Sequence, residues 1–275
     1  MTASLGTSTD FLTGDGVRLH YEDEGMGYPL ILLNGLWGDV GQWDRQMPAL
    51  SARYRCLRLE HRGTGQSEKW QGRYSYERHA DDVVELMDGL GLKRAVLLGV
   101  CHGAMAALTT AFRYPARVTA LAVNGAQMRR SARQFCIFEG WLRMIRTAGF
   151  PAFYRSAMLP VLFGDAWLER NHDRLEEVAQ AVADRQVTEV SLAMIEACIR
   201  YGFSDAQLAT IRQPALVIAG DEDGFIPVCH LKEDAARLPS AQFHVIAGSG
   251  HFPQRERPEI YTGLLVAFLE AVLAR

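Results

Sequence analysis

The stretch LLGVCHGAM, residues 97–105, decides the predicted fold because a buried apolar run ends there and a helical pattern begins. Gly99 and Gly103 bracket Cys101 within this stretch. Small residues are needed where a strand turns sharply into a helix and the backbone packs closely on both sides. The stretch therefore predicts a nucleophile elbow with Cys101 at its apex, a position where serine is the usual residue.

Strand and helix patterns alternate on both sides of this elbow. Apolar runs predict strands at residues 30–33, 54–59, 95–98, 118–123, 215–219 and 242–246, with an edge strand at 17–21. Helical periodicity is found at residues 40–50, 76–90, 102–114, 229–238 and 258–274. Such alternation predicts an α/β fold, with a mostly parallel twisted sheet covered by helices on both faces.

The alternation stops between residues 127 and 208, where a helical pattern rich in large apolar side chains intervenes. We interpret this segment as a helical cap, or lid, inserted into a core formed by residues 1–126 and 209–275. The strand pattern resumes after Pro214.

Composition excludes several classes of function. Of 275 residues, 48% are hydrophobic and 22% charged, and the net charge of −3 provides no general field for nucleic acid or an anionic membrane. Residues 1–14 do not resemble a signal peptide, and the apolar stretch 263–274 is too short to span a bilayer. We expect a cytoplasmic monomer or homodimer that acts on a small molecule, with no nucleic-acid or membrane partner.

Cysteine and glycine spacing argues against a metal or cofactor. The five cysteines form no C-x-x-C pair, so neither a disulfide framework nor a zinc site is predicted. Four of them, all except Cys101, are expected to be small buried hydrophobes. The glycines of residues 63–65 lack phosphate-binding spacing, and we expect neither cofactor nor metal.

A base and a carboxylate are found in loops that follow two late strands. An activated nucleophile needs a base, and an imidazole base needs a carboxylate to orient it. GDEDG, residues 220–224, and GSGH, residues 248–251, each follow a predicted strand. The carboxyl ends of parallel strands share one edge of the sheet, so both loops can reach Cys101. His251 is the candidate base, while Asp221, Glu222 and Asp223 are the candidate carboxylates.

Acyl chemistry also needs donors for a developing oxyanion. The amide of His102 is one candidate. The loop after the first central strand offers the amide of Leu36, with Trp37 next in line. The alternative is that Gly35 and Gly38 only form a turn.

Five motifs together resemble the α/β-hydrolase superfamily, and the resemblance covers residues 17–275. They are NGLWG (34–38), EHRGTGQS (60–67), GVCHG (99–103), GDEDGFIP (220–227) and GSGH (248–251). The insertion resembles the cap of the esterase, enol-lactonase and carbon–carbon bond hydrolase branches. The resemblance implies a triad of Cys101, His251 and Asp223, with the amides of Leu36 and His102 as the oxyanion hole and an apolar pocket under the cap.

Three residues depart from the family pattern. Asn34 is found where many members have histidine, and Glu60 where aspartate is common; both are expected to support loops. Cys101 replaces serine, as it does in dienelactone hydrolases and polyhydroxyalkanoate synthases. Because a thiolate leaves more readily than an alkoxide, we expect esters, lactones and thioesters rather than amides as substrates. The side chains expected to bind a largely apolar substrate are Trp37, Phe138, Trp141 and Phe252.

Two other functions remain open at this point. In the first, His251 is the general base of a lyase that expels a carboxylate such as acetate, and Cys101 only shapes the pocket. In the second, the chain is a binding protein without turnover. Arg129, Arg130 and Arg133 could meet an anionic substrate, or they could form a solvated helix face.

Overall fold

The computed structural model describes residues 7–70 and 72–274, which form an eight-stranded sheet covered by helices. The strands are β1 (Thr7–Leu12), β2 (Arg18–Glu24), β3 (Pro29–Leu33), β4 (Arg55–Leu59), β5 (Ala95–Val100), β6 (Val118–Asn124), β7 (Ala215–Gly220) and β8 (Ala241–Ile246). Their order in space is β1-β2-β4-β3-β5-β6-β7-β8. β2 pairs antiparallel with β1 and β4, and the remaining pairs are parallel. The predicted α/β fold is confirmed.

The middle of the sheet is apolar because helices cover both of its faces. Every residue of β5 is buried, as are residues 30–33 of β3, and burial of each such leucine contributes about 1.5–3 kcal/mol. Parallel strands of this kind have continuous apolar sequences rather than alternating ones. In the register of β3 and β5, Leu33 is opposite Gly99. The loop after β3 therefore begins beside the turn that carries Cys101.

The predicted edge strand at residues 17–21 exists, but its place in the sheet was wrong. β2 lies between β1 and β4, and β1 occupies the edge. β1 went unrecognised because its side chains are nearly all exposed. Without a buried face, a strand has no apolar alternation to detect, and β1 is held by its pairing with β2.

The helices follow the predicted positions with one clear exception. They are α1 (Met47–Leu50), α2 (Tyr76–Gly89), α3 (His102–Arg113), α4 (Ala132–Ala148), α5 (Phe150–Phe153), α6 (Leu159–Leu162), α7 (Asp165–Asn171), α8 (Leu175–Ala183), α9 (Thr188–Arg200), α10 (Asp205–Leu208), α11 (Val228–Ala235), α12 (Pro253–Glu256) and α13 (Pro258–Leu273). The continuous helix predicted at residues 40–50 was wrong. A 3₁₀ turn, Val40–Trp43, is capped by Asp39, and α1 begins separately with a proline in its first turn.

The chain between β6 and β7 contains helices α4 to α10, a π-helical turn (Tyr154–Met158) and a 3₁₀ turn (His172–Arg174). Serine side chains fix the beginnings of two of these helices. Ser131 Oγ accepts the Gln134 N–H, and Ser204 forms a capping box with Gln207. Residues 1–6 and 275 of the predicted core lie outside the described residues. Across the part of the chain that is described, no helix is long and apolar enough to cross a bilayer.

Candidate active site

Cys101 lies at the turn between β5 and α3 with a backbone φ of +52°. A side chain in this left-handed region is strained, at a cost of order 1–3 kcal/mol. A Cβ on Gly99 would lie 2.4 Å from the carbonyl oxygen of Gly103, and one on Gly103 would lie 2.3 Å from that of Leu33. The turn therefore requires glycine at both bracketing positions. The Cys101 side chain remains half-buried and lines an internal cavity.

His251 and Asp223 form a buried hydrogen-bonded pair. Nδ1 of His251 lies 2.7 Å from Oδ2 of Asp223, and neither side chain is more than 2% exposed. The second oxygen of Asp223 accepts two backbone N–H groups, at 2.9 and 2.8 Å. Asp221 and Glu222 instead accept backbone N–H groups of other loops. Of the three candidate carboxylates, Asp223 is therefore the one that orients the imidazole.

The charge of His251 depends on its two neighbours. Burial disfavours the imidazolium, but the interactions with Asp223 and Cys101 outweigh it and raise the pKa of His251 above the usual range. Nε2 of His251 has no hydrogen-bond partner among the described residues, so its contact with Cys101 is not a well-formed hydrogen bond. Catalytic hydrogen bonds are often long before substrate binds. Gly125 makes room for the ring, since a Cβ there would lie 2.6 Å from Cε1.

The oxyanion donors predicted from the sequence are the N–H groups of two backbone amides. Within residues 7–70 and 72–274, the N–H groups of Leu36 and His102 donate to no backbone or side-chain acceptor. A Cβ on Gly35 would lie 3.5 Å from the Cβ of Cys101, so the loop of Leu36 adjoins the thiol. Asn34 Nδ2 donates to two carbonyls of this loop, at 3.1 and 2.8 Å. Asn34 therefore supports the loop, as expected.

A cavity lies beside Cys101. All four residues predicted to bind substrate line it: Trp37, Phe138, Trp141 and Phe252. Trp37 has a positive φ of 62° and packs edge-on against two phenylalanines of the inserted segment, at ring distances of 5.1 and 5.6 Å. The mostly apolar lining suits an apolar small molecule.

Several cavity residues were missed by the sequence analysis, among them Tyr76, Tyr154, Cys198 and Tyr201. Cys198 and Tyr201 are three residues apart at the end of α9, and this helical spacing was the available signal. The expectation that four cysteines are buried was wrong, because Cys136 and Cys229 are exposed and Cys198 is half-buried at the cavity. Burial raises the pKa of Cys198 to about 12, which keeps this second cavity cysteine a thiol.

Comparison with known proteins identifies the family. A sequence family described as "alpha/beta hydrolase fold" matches residues 28–258. The chain belongs to the α/β-hydrolase family. This result agrees with the strand order, with the turn at Cys101 and with the placement of Asp223 and His251 after β7 and β8.

Individual α/β-hydrolase comparisons cover almost the whole chain. A protein of Caulobacter vibrioides (strain NA1000 / CB15N) named "Putative carbamate hydrolase RutD" is 36% identical over 264 residues, covering 94% of this chain and 97% of that protein. The solved enol-lactonase of Burkholderia xenovorans LB400 is 28% identical, with a TM-score of 0.85, and the match covers 95% of this chain and 99% of the enol-lactonase. A thermophilic esterase from Thermogutta terrifontis is 26% identical, with a TM-score of 0.85 and coverage of 98% and 99%. This chain is therefore an α/β-hydrolase-family enzyme.

In this α/β-hydrolase, residues 161–165 of the inserted segment form a strap across the loops of the acid and the base. The N–H of His251 donates to the carbonyl of Leu162 at 2.7 Å. The N–H of Gly224 donates to the carbonyl of Val161 at 3.1 Å. Movement of the strap would therefore disturb the backbone on which Asp223 and His251 are carried.

Glu256 bonds the same strap through a side chain. One carboxylate oxygen accepts the N–H of Gly250 at 3.0 Å, and the other accepts the N–H of Gly164 at 2.8 Å. Burial raises the pKa of Glu256. This residue was missed because its role depends on contacts between segments about 90 residues apart in sequence.

Three buried histidines pack against one another behind the nucleophile turn. The ring centroids of His61, His79 and His102 are 4.8–5.3 Å apart. Burial lowers the pKa of His61 to about 4, and it holds the pKa values of His79 and His102 well below the usual range. No three His, Cys, Asp or Glu side chains of the described residues are placed to hold a metal ion. The three rings are therefore neutral packing groups.

We expect these histidines to make the protein sensitive to mild acid. The unfolded chain binds protons below about pH 6.5 while the folded rings stay neutral, so the free energy of unfolding falls as pH falls. At about pH 5 each ring accounts for at most about 2 kcal/mol of this loss. Urea unfolding at neutral and acidic pH measures how the free energy of unfolding changes with pH. In His79→Leu this change should correspond to about one proton fewer taken up on unfolding than in the wild type. His172→Leu, at an exposed site, is the control, and an unchanged slope in His79→Leu would contradict the prediction.

Proposed function

We propose that this enzyme cleaves or transfers the acyl group of an ester, lactone or thioester through an acyl-Cys101 intermediate. In this proposal His251 is first acid and then base, and Asp223 orients it. The observation that carries the proposal is the buried 2.7 Å Asp223–His251 pair, whose loops follow neighbouring strands at the same sheet edge as Cys101. A binding protein without turnover would not need this pair.

The first half-reaction forms the acyl-enzyme. The Cys101 thiolate attacks the carbonyl carbon, a C–S bond forms, and the carbonyl π electrons move onto oxygen. The free amides of Leu36 and His102 are the donors for this oxyanion. As the bond to the leaving group breaks, His251 transfers its Nε2 proton to the departing oxygen or sulfur.

The second half-reaction restores the enzyme. Water, or another acyl acceptor, attacks the thioester carbonyl while the now neutral His251 takes its proton. The C–S bond breaks, the acid or transferred product leaves, and the thiolate–imidazolium pair returns. An attacking thiolate is expelled more readily than an amine, so unactivated amides would revert to substrate.

The inserted segment, residues 127–208, acts as the cap in this proposal. It contributes Phe138 and Trp141 to the cavity, and the core contributes Trp37 and Phe252. The proposed substrate is therefore largely apolar around the scissile bond. Because the Caulobacter relative is named as a carbamate hydrolase, aryl carbamates belong in the substrate panel beside esters and thioesters.

Mass spectrometry of the intact protein tests the covalent step. We expect activated esters and thioesters to add one acyl mass to the wild-type enzyme and none to Cys101→Ala. The matched control is Cys229→Ala, which removes an exposed thiol and should retain the adduct. Turnover by the wild type, together with full activity in Cys101→Ala and no adduct, would refute the proposal.

A second candidate is a lyase of the same fold. The observation that favours it is that Nε2 of His251 has no hydrogen bond to Cys101, which leaves the nitrogen available to remove a proton directly from substrate. His251 would then drive elimination of a carboxylate such as acetate, and Cys101 would only shape the pocket. The two mechanisms make opposite predictions for Cys101→Ala.

A further inference from the structure

A cleft at the surface opens beside the catalytic cavity and carries an unusual charge. Four residues line both spaces, namely Gln127, Phe138, Cys198 and Tyr201. Because these side chains have one face in each space, the cleft adjoins the cavity at the end of α9. We call this cleft the vestibule.

The charged side chains that line the vestibule are Arg130 and Arg200, and no Asp or Glu of the described residues lines it. Arg130 makes no ion pair or hydrogen bond with the described part of the chain. Its neighbour Arg129 differs, since Asp234 and Glu233 hold it at 2.5 and 3.3 Å. The vestibule therefore presents a guanidinium that no described residue pairs with.

Gln134 is a second polar group of the vestibule. It is 5% exposed, and its Oε1 is buried without a hydrogen-bond partner in the described part of the chain. An unpaired acceptor oxygen is costly to bury and can bond only an N–H or O–H donor, so Gln134 would meet a donor group of a ligand while the guanidinium groups meet an anion. Arg200 adds a second cation, with only a 3.5 Å contact to Glu196 on the exposed side of α9.

We propose that the vestibule binds an anionic group, a carboxylate or a phosphate, at one end of the substrate. This inference rests on the proposed function, since it assigns the substrate class for the same cavity. A guanidinium matches the paired oxygens of either anion, and a cleft lined by one sign of charge concentrates the opposite sign. The substrate is then amphipathic, with its apolar part at Cys101 and its charge between Arg130 and Arg200.

Binding to the Cys101→Ala protein tests the vestibule without relying on turnover. Calorimetry compares three methyl esters that share one acyl chain and differ only in its terminal group. That group is a methyl, a carboxylate or a phosphate. We expect at least one anionic ester to bind about tenfold more tightly than the neutral one, with less preference at higher ionic strength. The anion that gains affinity identifies the source of the charge.

Substitutions assign the preference to the vestibule. Arg130→Gln should lower the ratio of anionic to neutral affinity about tenfold, whereas Arg130→Lys should keep part of it. Arg143→Gln, on α4 and lining a different groove, is the control and should keep the ratio. Equal affinity for all three esters, or an unchanged ratio in both Arg130→Gln and Arg200→Gln, would overturn the inference.

The same esters separate this inference from the proposed function. If the wild type forms acyl adducts but shows no preference for anionic esters, the proposed Cys101 chemistry is supported and anion binding in the vestibule is refuted. If the protein forms no adduct but prefers anionic esters, and Arg130→Gln abolishes that preference, anion binding in the vestibule is supported and the Cys101 chemistry is refuted. Circular dichroism and the Tm of each variant establish that it is folded.

Discussion

Replacing His251 with alanine is expected to lower kcat at least about a thousandfold on any ester that the wild-type enzyme hydrolyses. In the proposed mechanism the imidazole supplies the proton to the leaving group and accepts the proton of the attacking water, so both half-reactions would lose their proton carrier. Steady-state kinetics measure the loss. His172→Ala is the matched control because that side chain is exposed on the inserted segment, and it should change kcat less than about twofold.

The charge of Asp223 is expected to affect the pH dependence of kcat/KM. The Asp223 carboxylate helps to raise the pKa of His251, so the imidazolium persists to higher pH and its deprotonation forms the alkaline limb of kcat/KM. Asp223→Asn keeps the shape and removes the charge, and the alkaline limb should move to lower pH. Retention of more than about a tenth of wild-type kcat in His251→Ala would show that another group carries the proton.

The central fold was predictable because burial leaves a pattern in sequence. β3 and β5 are continuous apolar runs since both faces are covered. β1 lacked such a pattern because its stability comes from backbone pairing with β2. Residues 40–50 do not form one helix because the Asp39 side chain accepts the Gly41 N–H and caps a separate 3₁₀ turn. Helical periodicity in the sequence does not reveal such a local hydrogen bond.

Some residues of the candidate site were predictable from the sequence and others were not. Cys101, Asp223 and His251 stand in short glycine-rich loops at the ends of strands, where motif and topology together locate them. Glu256 and Tyr76 could not be located by this reasoning, because each acts across contacts between distant segments. The sequence offered Arg130 as one of three arginines that could meet an anion, but only the structure shows that Arg129 is paired while Arg130 has no ion pair with the described residues.

Replacing Cys101 decides between acyl transfer and elimination, and we expect Cys101→Ala to lose at least about a thousandfold in kcat. In elimination the same variant would keep most of its activity, while His251→Ala would not. Hydrolysis in heavy-oxygen water adds a signature independent of rates. Attack at the acyl carbon places heavy oxygen in the released acid, whereas elimination breaks the other C–O bond and releases the carboxylate with its original oxygens.

Cys101→Ser tests whether the thiol itself matters once the position is established as nucleophilic. A hydroxyl is far less acidic than a thiol, so the serine variant would need His251 as a base from the first step, whereas the mechanism proposed for the wild type begins from a thiolate. We expect this variant to keep part of the ester hydrolysis that Cys101→Ala loses, and to form an ester adduct that resists hydroxylamine longer than the wild-type thioester. The contrary result is a serine variant with unchanged Tm that is as inactive as the alanine variant. It would show that the turn at φ +52° brings a sulfur within reach of the carbonyl carbon, but not an oxygen on its shorter bond.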